Sequence, residues 1–256
     1  MTTIDTHELD VKVQQMYRDV AERPHAPFHF ETGRALAERL GYPADLLDAV
    51  PPAALDSFAG VGWFFDLAGL RPGEDVVDLG AGSGTDSFVA AHLVGPGGSV
   101  RGVDFTPEQH RKATRLVEEA GSAGTVEFWE RRLEALPFPD ACADCVVSNG
   151  VINLVADKAR VFAEATRVLR PGGRLAIADI VTEQHLEPAI TADTDLWASC
   201  IGGAAQTDDY RALVEGAGLE VRTVRVNDYG FLSDQAQGAS RTYGVRSVSM
   251  LAAKPG

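Results

Sequence analysis

The sequence predicts an α/β fold: a mostly parallel sheet with an antiparallel edge strand, preceded by a helical N-terminal block. Three observations predict it. From residue 75 onward, short apolar runs alternate with amphipathic helical segments, as parallel strands joined by crossover helices require. Before residue 70 only helical spacing is visible, with Val13, Met16, Tyr17 and Val20 recurring at i, i+3, i+4 and i+7. The last two apolar runs are separated by residues 228–244, which show no crossover-helix pattern, so antiparallel pairing is expected there.

Taken in order, the N-terminal block carries a helix over residues 11–21 and short helices over 33–40 and 44–50, the last stopped by Pro51 and Pro52. A strand at 75–80 (DVVDLG) leads to a helix over 85–94, a strand at 99–104 (SVRGVD) and a helix over 107–120. Thr106 and Gln109 have the spacing of a capping box, and Pro107 sits at the first helical position, where its missing N–H is harmless. Strands follow at 126–130 (VEFWE), 144–148 (DCVVS) and 174–180 (RLAIADI), with a helix over 157–169 whose stripe is Val161, Phe162, Ala165, Val168 and Leu169. After an irregular stretch to about Gln206 comes a helix capped by Thr207, with Tyr210, Leu213, Val214 and Ala217 on one face. Strands at 219–226 and 245–253 bring the count to seven. The chain is therefore divided into a helical lid, residues 1–70, and a sheet domain, residues 71–256, with an insertion at about 181–206.

Charge and cysteine usage narrow the partners. With 37 acidic and 23 basic residues among 256, the net charge of −14 repels polyanions, which argues against nucleic acid or an anionic membrane and favours a small neutral or cationic partner. Three cysteines, Cys142, Cys145 and Cys200, are too few for a disulfide framework. The first residues lack a signal-peptide pattern, and no window approaches a membrane span, so a soluble cytoplasmic protein is expected. Cys142 and Cys145 are spaced C-x-x-C, but at a strand start i and i+3 point to opposite faces, so they do not converge on a metal, and no metal site is expected.

The strongest chemical signal is VVDLGAGSG, where Gly80, Gly82 and Gly84 follow a strand and precede a helix. A triphosphate loop would end Gly-Lys-Ser/Thr, and a dinucleotide fingerprint would place its third glycine at position 85, which is Thr85. Asp104 ends the next strand, where a carboxylate can accept from both hydroxyls of a ribose. The G-x-G-x-G preceded by Asp78, with LRPGG at 169–173 before the strand RLAIADI, resembles class I S-adenosylmethionine (SAM)-dependent methyltransferases. That resemblance covers residues 70–253 approximately and implies a Rossmann-like seven-stranded sheet, SAM as cofactor and S-adenosylhomocysteine as product. It further implies that Gly80, Ala81, Gly82 and Gly84 shape the loop against the amino-acid part of SAM, that Asp104 holds the ribose, and that Phe105, Leu133 and Glu134 surround adenine. Asn149 would face the methionyl end. Where many members of that family have Gly-Asp, this chain has Arg131-Arg132, so backbone groups are expected to recognise adenine there.

Within that family the strings GPGGSVRGVDFTPEQ, SNGVINL and DLWASCIGGA resemble the arsenite methyltransferases, which bind trivalent arsenic through cysteine thiolates. Of the three thiolate positions, only Cys200 is a cysteine here; Val61 and Gly150 stand at the other two. A methyltransferase for a small organic acceptor, with an O, N, S or C nucleophile, is therefore the leading reading, and Gly150 is expected to leave room for an acceptor bulkier than an ion. Arsenite methylation with a reduced cysteine set, and a SAM-binding protein or non-methylating enzyme on the same scaffold, are the alternatives.

Acceptor-side candidates come from the lid and the insertion. His29 and Tyr17 are candidate catalytic groups of the lid, and His25 and Arg34 candidate pocket residues, in HAPFHFETGR beside Phe28 and Phe30. Trp197 and Cys200 are expected on the opposite wall. His185 and Asp179, near the carboxyl end of the strand 174–180, are further candidate bases. A homodimer is compatible with all of this.

Overall fold

Seven strands carry the sheet in the computed structural model, which describes residues 4–122 and 124–256. They are β1 (Asp75–Leu79), β2 (Ser99–Asp104), β3 (Val126–Glu130), β4 (Ala143–Asn149), β5 (Leu169–Thr182), β7 (Glu220–Val226) and β8 (Arg246–Ala253); a two-residue β6 (Ala205–Gln206) pairs in parallel with the end of β5. The order is β3-β2-β1-β4-β5-β8-β7. Pairings from β3 through β5 are parallel, and β8 runs antiparallel to both β5 and β7. The antiparallel strand thus lies one place in from the edge.

Alternation along each strand feeds two cores. Val76, Val100, Cys145, Val147 and Ala176 face one side, against α6 (Thr85–Val94), α7 (Pro107–Ala120) and the N-terminal block. Val77, Val103, Val146 and Leu175 face the other, against α8 (Lys158–Val168) and α11 (Thr207–Gly216). Phe162 and Tyr210 meet edge to face in that second core, 5.4 Å between ring centroids; burying each such ring contributes about 2 kcal/mol. Cys142 packs in one core and Cys145 in the other, so the C-x-x-C is split by the sheet.

The N-terminal block comprises α1 (Thr6–Glu22), α2 (Arg34–Arg39), α3 (Ala44–Asp48), α4 (Pro52–Asp56) and α5 (Phe65–Ala68). The first helix starts five residues earlier than its apolar spacing implies, because Asp5 caps it by accepting from His7 N and Glu8 N. Pro52, expected as a stop, sits in the first turn of α4 instead. The insertion folds into α9 (Pro188–Thr191) and α10 (Thr194–Ala198), and α10 packs along α1.

Three local expectations are corrected. The Thr106–Gln109 capping box does not form, since Gln109 accepts from Ser83 Oγ at 2.6 Å and donates to Tyr17 O at 2.9 Å, tying α7 to the glycine loop and to α1. The cap of α11 is Gln206, which accepts from Asp208 N and Asp209 N, while Thr207 Oγ donates to Thr182 O and pins the helix to β5. The segment joining β7 to β8 contains a helix, α12 (Asp234–Tyr243), started by Ser233 and ended by left-handed Gly244. Its polar sequence hides the helical period.

Candidate active site

At the carboxyl ends of β1, β2 and β4 the strands open onto a cleft of about 1000 Å³, its open mouth included. Gly80 turns the chain out of β1 with φ +72°, and a β-carbon there would lie 2.4 Å from both methyls of Val151. Only glycine fits. The loop then passes Asp104, whose Oδ2 accepts from Gly82 N at 3.0 Å and Oδ1 from Thr106 N at 2.8 Å. Burial raises the pKa of this carboxyl, and the two backbone donors oppose the rise. Its carboxylate lines the cleft with Phe105 beside it.

The floor is a carboxylate pair without a cation. Asp78 and Asp86 are both buried and both line the cleft. Ser87 Oγ donates to Asp78 at 2.6 Å, Tyr42 OH donates to Asp86 at 2.5 Å, and Asn149 Nδ2 donates to Asp86 at 3.0 Å. Desolvation, then the neighbouring Asp86, push Asp78 up to about 8, and desolvation pushes Asp86 up to about 6. Asn149 also donates to Gly62 O and accepts from Val61 N at 2.7 Å, so one amide ties the end of β4 to the N-terminal block.

The roof is α1, through Asp10, Val13 and Tyr17. Its carboxyl-terminal half is fixed by Ser57 Oγ to Val20 O and Lys112 Nζ to Ala21 O, at 2.8 and 2.9 Å. Farther along, Gln14 Nε2 reaches Phe105 O at 3.0 Å. Phe58, Leu154 and Val155 give the cleft apolar walls.

A family model described as a methyltransferase domain matches residues 70–218, which is more than half of the chain. The chain belongs to that family. Its methyltransferase domain is similar in sequence to an arsenite methyltransferase of Halobacterium salinarum, 42% identical over 206 residues that make up 80% of this chain and 52% of the relative. A solved arsenic(III) S-adenosylmethionine methyltransferase of Chlamydomonas reinhardtii superposes with a TM-score of 0.65 at 30% identity, over 90% of this chain and 75% of that one. Geranyl diphosphate C-methyltransferase of Streptomyces coelicolor shares the fold at 16% identity, with a TM-score of 0.68 and coverage of 95% and 98%. The chain spans about half the length of the curated relatives it matches.

Of the residues that the glycine-loop resemblance marks, Asp78, Gly80, Ala81, Gly82, Asp104, Phe105, Leu133, Glu134 and Asn149 line the cleft of the methyltransferase domain. Gly84 stands behind the loop at the start of α6, against Phe128 and Phe88. Tyr17 lines the cleft, and burial holds its phenol well above the ordinary range.

The other acceptor-side candidates lie elsewhere. His29 packs edge-on against Phe30, 4.6 Å between centroids, in a shallow groove on the outer side of α1, and burial pushes it down to about 4. His25 is exposed. Arg34 is drawn to the surface by ion pairs with Glu38 and Asp48, each at 2.7 Å. His185 is exposed too, 3.4 Å from Asp209. Asp179 is a buried strut that accepts from Tyr210 OH, Asn153 Nδ2 and the amides of Asn153 and Ile180. Trp197 donates to Thr191 O and carries Lys158 Nζ 4.5 Å from its ring, which braces the insertion.

Val61, Gly150 and Cys200 are all outside the cleft lining. Gly150 does not open space: a β-carbon there would sit 3.1 Å from Val61 Cγ1, so the valine methyls occupy what a side chain at 150 would need. Its φ of +71° also suits glycine alone. Cys200 is buried, and its thiol is pushed up to about 12, chiefly by desolvation. Among the described residues no cluster of three or more His, Cys, Asp or Glu side chains is placed to hold a metal ion.

Residues not foreseen from sequence complete the cleft: Asp10, Val13, Ser57, Phe58, Gln109 and Arg132. One signal was present. Asp10, Val13 and Tyr17 are spaced i, i+3, i+7 and share a helical face.

Proposed function

We propose that this chain is a SAM-dependent methyltransferase of the class I type, acting on a small neutral or cationic organic acceptor. The observation that carries the reading is the cleft itself. A side-chain-free turn at Gly80, a carboxylate at Asp104 and an aromatic ring at Phe105 succeed one another along the cleft, an order that suits an amino acid, a ribose and an adenine joined in turn. The unpaired acids Asp78 and Asp86 suit the cationic amino-acid end. The residues present fit SAM, which when bound supplies an electrophilic methyl group to an aligned nucleophile.

The chain's own groups then position and exclude. The α1 roof, Phe58, Leu154 and Val155 keep water from the cleft. Five acids, Asp10, Asp78, Asp86, Asp104 and Glu134, line it against the single arginine Arg132, a balance that repels carboxylate or phosphate acceptors. Among the described residues no histidine lines the cleft, so an acceptor that must lose a proton would depend on one of the lining carboxylates. Residues 1–70 serve as the lid and 71–256 as the SAM domain, in a soluble cytoplasmic protein; a homodimer would be read by sedimentation.

A second reading, arsenite methylation, has the names of the similar proteins and Cys200 in its favour. Against it stand the apolar contact of Val61 with Gly150 and a thiol that burial keeps protonated. The test is release of S-adenosylhomocysteine from labelled SAM, with metabolite pools in one arm and arsenite in the other. Labelled organic products support the first reading. Arsenite turnover that Cys200→Ser abolishes establishes the second, and binding of SAM with no transfer in any arm sinks both.

A further inference from the structure

The mouth of the cleft carries a charge arrangement that the glycine loop does not require. Arg132 Nη1 donates to Asp10 Oδ2 at 2.7 Å and Nη2 to Asp10 Oδ1 at 3.2 Å, a two-pronged grip, and Nη2 also donates to Glu134 Oε1 at 3.0 Å. The same guanidinium lies over the Phe105 ring, its Cζ 5.7 Å from the centroid. All four residues line the cleft. Asp10 comes from the lid helix, Arg132 and Glu134 from the segment after β3, and Phe105 from the end of β2. An arginine alone at this edge offers only donors. Holding two carboxylates, it turns the edge into an acceptor surface beside an aromatic face, because each gripped carboxylate keeps lone pairs that the guanidinium does not use.

We propose that Asp10 and Glu134, set in place by Arg132, read the exocyclic amine of the purine, so that the lid helix itself selects an adenine over a 6-oxo base. The proposal rests on the reading that the cleft takes an adenosyl group, and it goes beyond it by assigning Asp10 as a cofactor-binding residue and Arg132 as a positioning residue. It replaces the expectation that only backbone groups recognise adenine there. The grip adds to the anchors that hold α1 over the cleft at Gln14, Val20 and Ala21.

The test compares binding of S-adenosylhomocysteine and S-inosylhomocysteine, which replaces the amine with a carbonyl oxygen, by calorimetry on the full chain and on Asp10→Asn and Arg132→Gln. The unaltered protein is expected to prefer the adenosyl ligand by about tenfold or more, the scale of one charge-assisted hydrogen bond. Asp10→Asn can present an amide donor to the carbonyl, so the preference is expected to shrink to a few-fold at most. Arg132→Gln releases both carboxylates and is expected to weaken the adenosyl ligand and reduce the preference together. A purely structural role for Asp10 would weaken both ligands equally and leave their ratio unchanged. That unchanged ratio, with adenosyl binding retained, overturns the proposal and leaves the methyltransferase reading standing; absence of adenosyl binding by the unaltered protein overturns both.

Discussion

One cleft holds two pairs of carboxylates that solve opposite problems. At the floor, Asp78 and Asp86 are buried and meet only neutral donors: a serine, a tyrosine and an asparagine. At the mouth, Asp10 and Glu134 are partly exposed, with side chains 32% and 21% accessible, and an arginine joins them. Burial without a cation makes the floor pair hold protons, whereas the mouth pair meets a guanidinium. The difference teaches that the floor waits for a cation from the ligand and the mouth brings its own.

The comparison is broken most severely by removing the turn that joins the two ends. Gly80→Ala places a β-carbon against Val151 in a left-handed conformation, and it is expected to cost roughly 2 kcal/mol or more of stability and to abolish adenosyl binding. Chemical denaturation and calorimetry would measure both losses. A Gly80→Ala protein that binds normally would show that the loop is not the seat of the ligand.

Tyr42→Phe comes next, because it leaves Asp86 and Asn149 short of a partner inside the fold. An expected loss of about 1–3 kcal/mol follows from unpaired buried polar groups. The corresponding loss at the mouth, from Asp10→Asn, should stay under about 1 kcal/mol, since exposed ion pairs contribute little to stability.

The pH dependence separates the pairs without mutation. Asp78 and Asp86 have folded pKa values raised above the usual carboxylate range, so the ligand-free fold holds protons that the unfolded chain releases. Their contribution is greatest below that usual range and is lost as pH rises through about 6 and then about 8. The melting temperature of the free protein should therefore fall across that window. Affinity for a cationic amino-acid ligand should rise across it, because the ligand favours the ionised acids. Asp78→Asn is expected to flatten both profiles, and an unaltered pH profile in that variant would remove the floor pair from the account. The smallest effect is expected at the surface, away from both pairs: His185→Ala and Arg34→Ala should shift stability by no more than about 0.5 kcal/mol and leave transfer unchanged.

These two regions also differ in how well the sequence displayed them. At the floor the glycines and Asp78 were legible, as was Asp104, because strand ends place them; Asp86, inside α6, carried no such mark. Helices α6 and α7 and strands β2 and β3 fall where periodicity puts them. The mouth was legible only in part: the resemblance marked Phe105 and Glu134, and Asp10 and the grip of Arg132 stayed hidden. Asp10 and Arg132 lie 122 residues apart, and local spacing carries no information about which distant charges meet. Polar residues near aromatic ones in 25–34 gave a false lead, since Arg34 satisfied its charge on Glu38 and Asp48 within its own block. Helix α12 escaped for a related reason: a polar face around Gly238 gives no apolar period to read.

The contact between Val61 and Gly150 couples two positions outside the cleft lining. A cysteine at 150 alone would press on the valine and strain a left-handed backbone; a cysteine at 61 alone would remove one of the methyls that crowd Gly150. The first step costs stability. The two positions are therefore sterically coupled: a side chain at 150 asks for a smaller one at 61, and their substitutions are not expected to add independently.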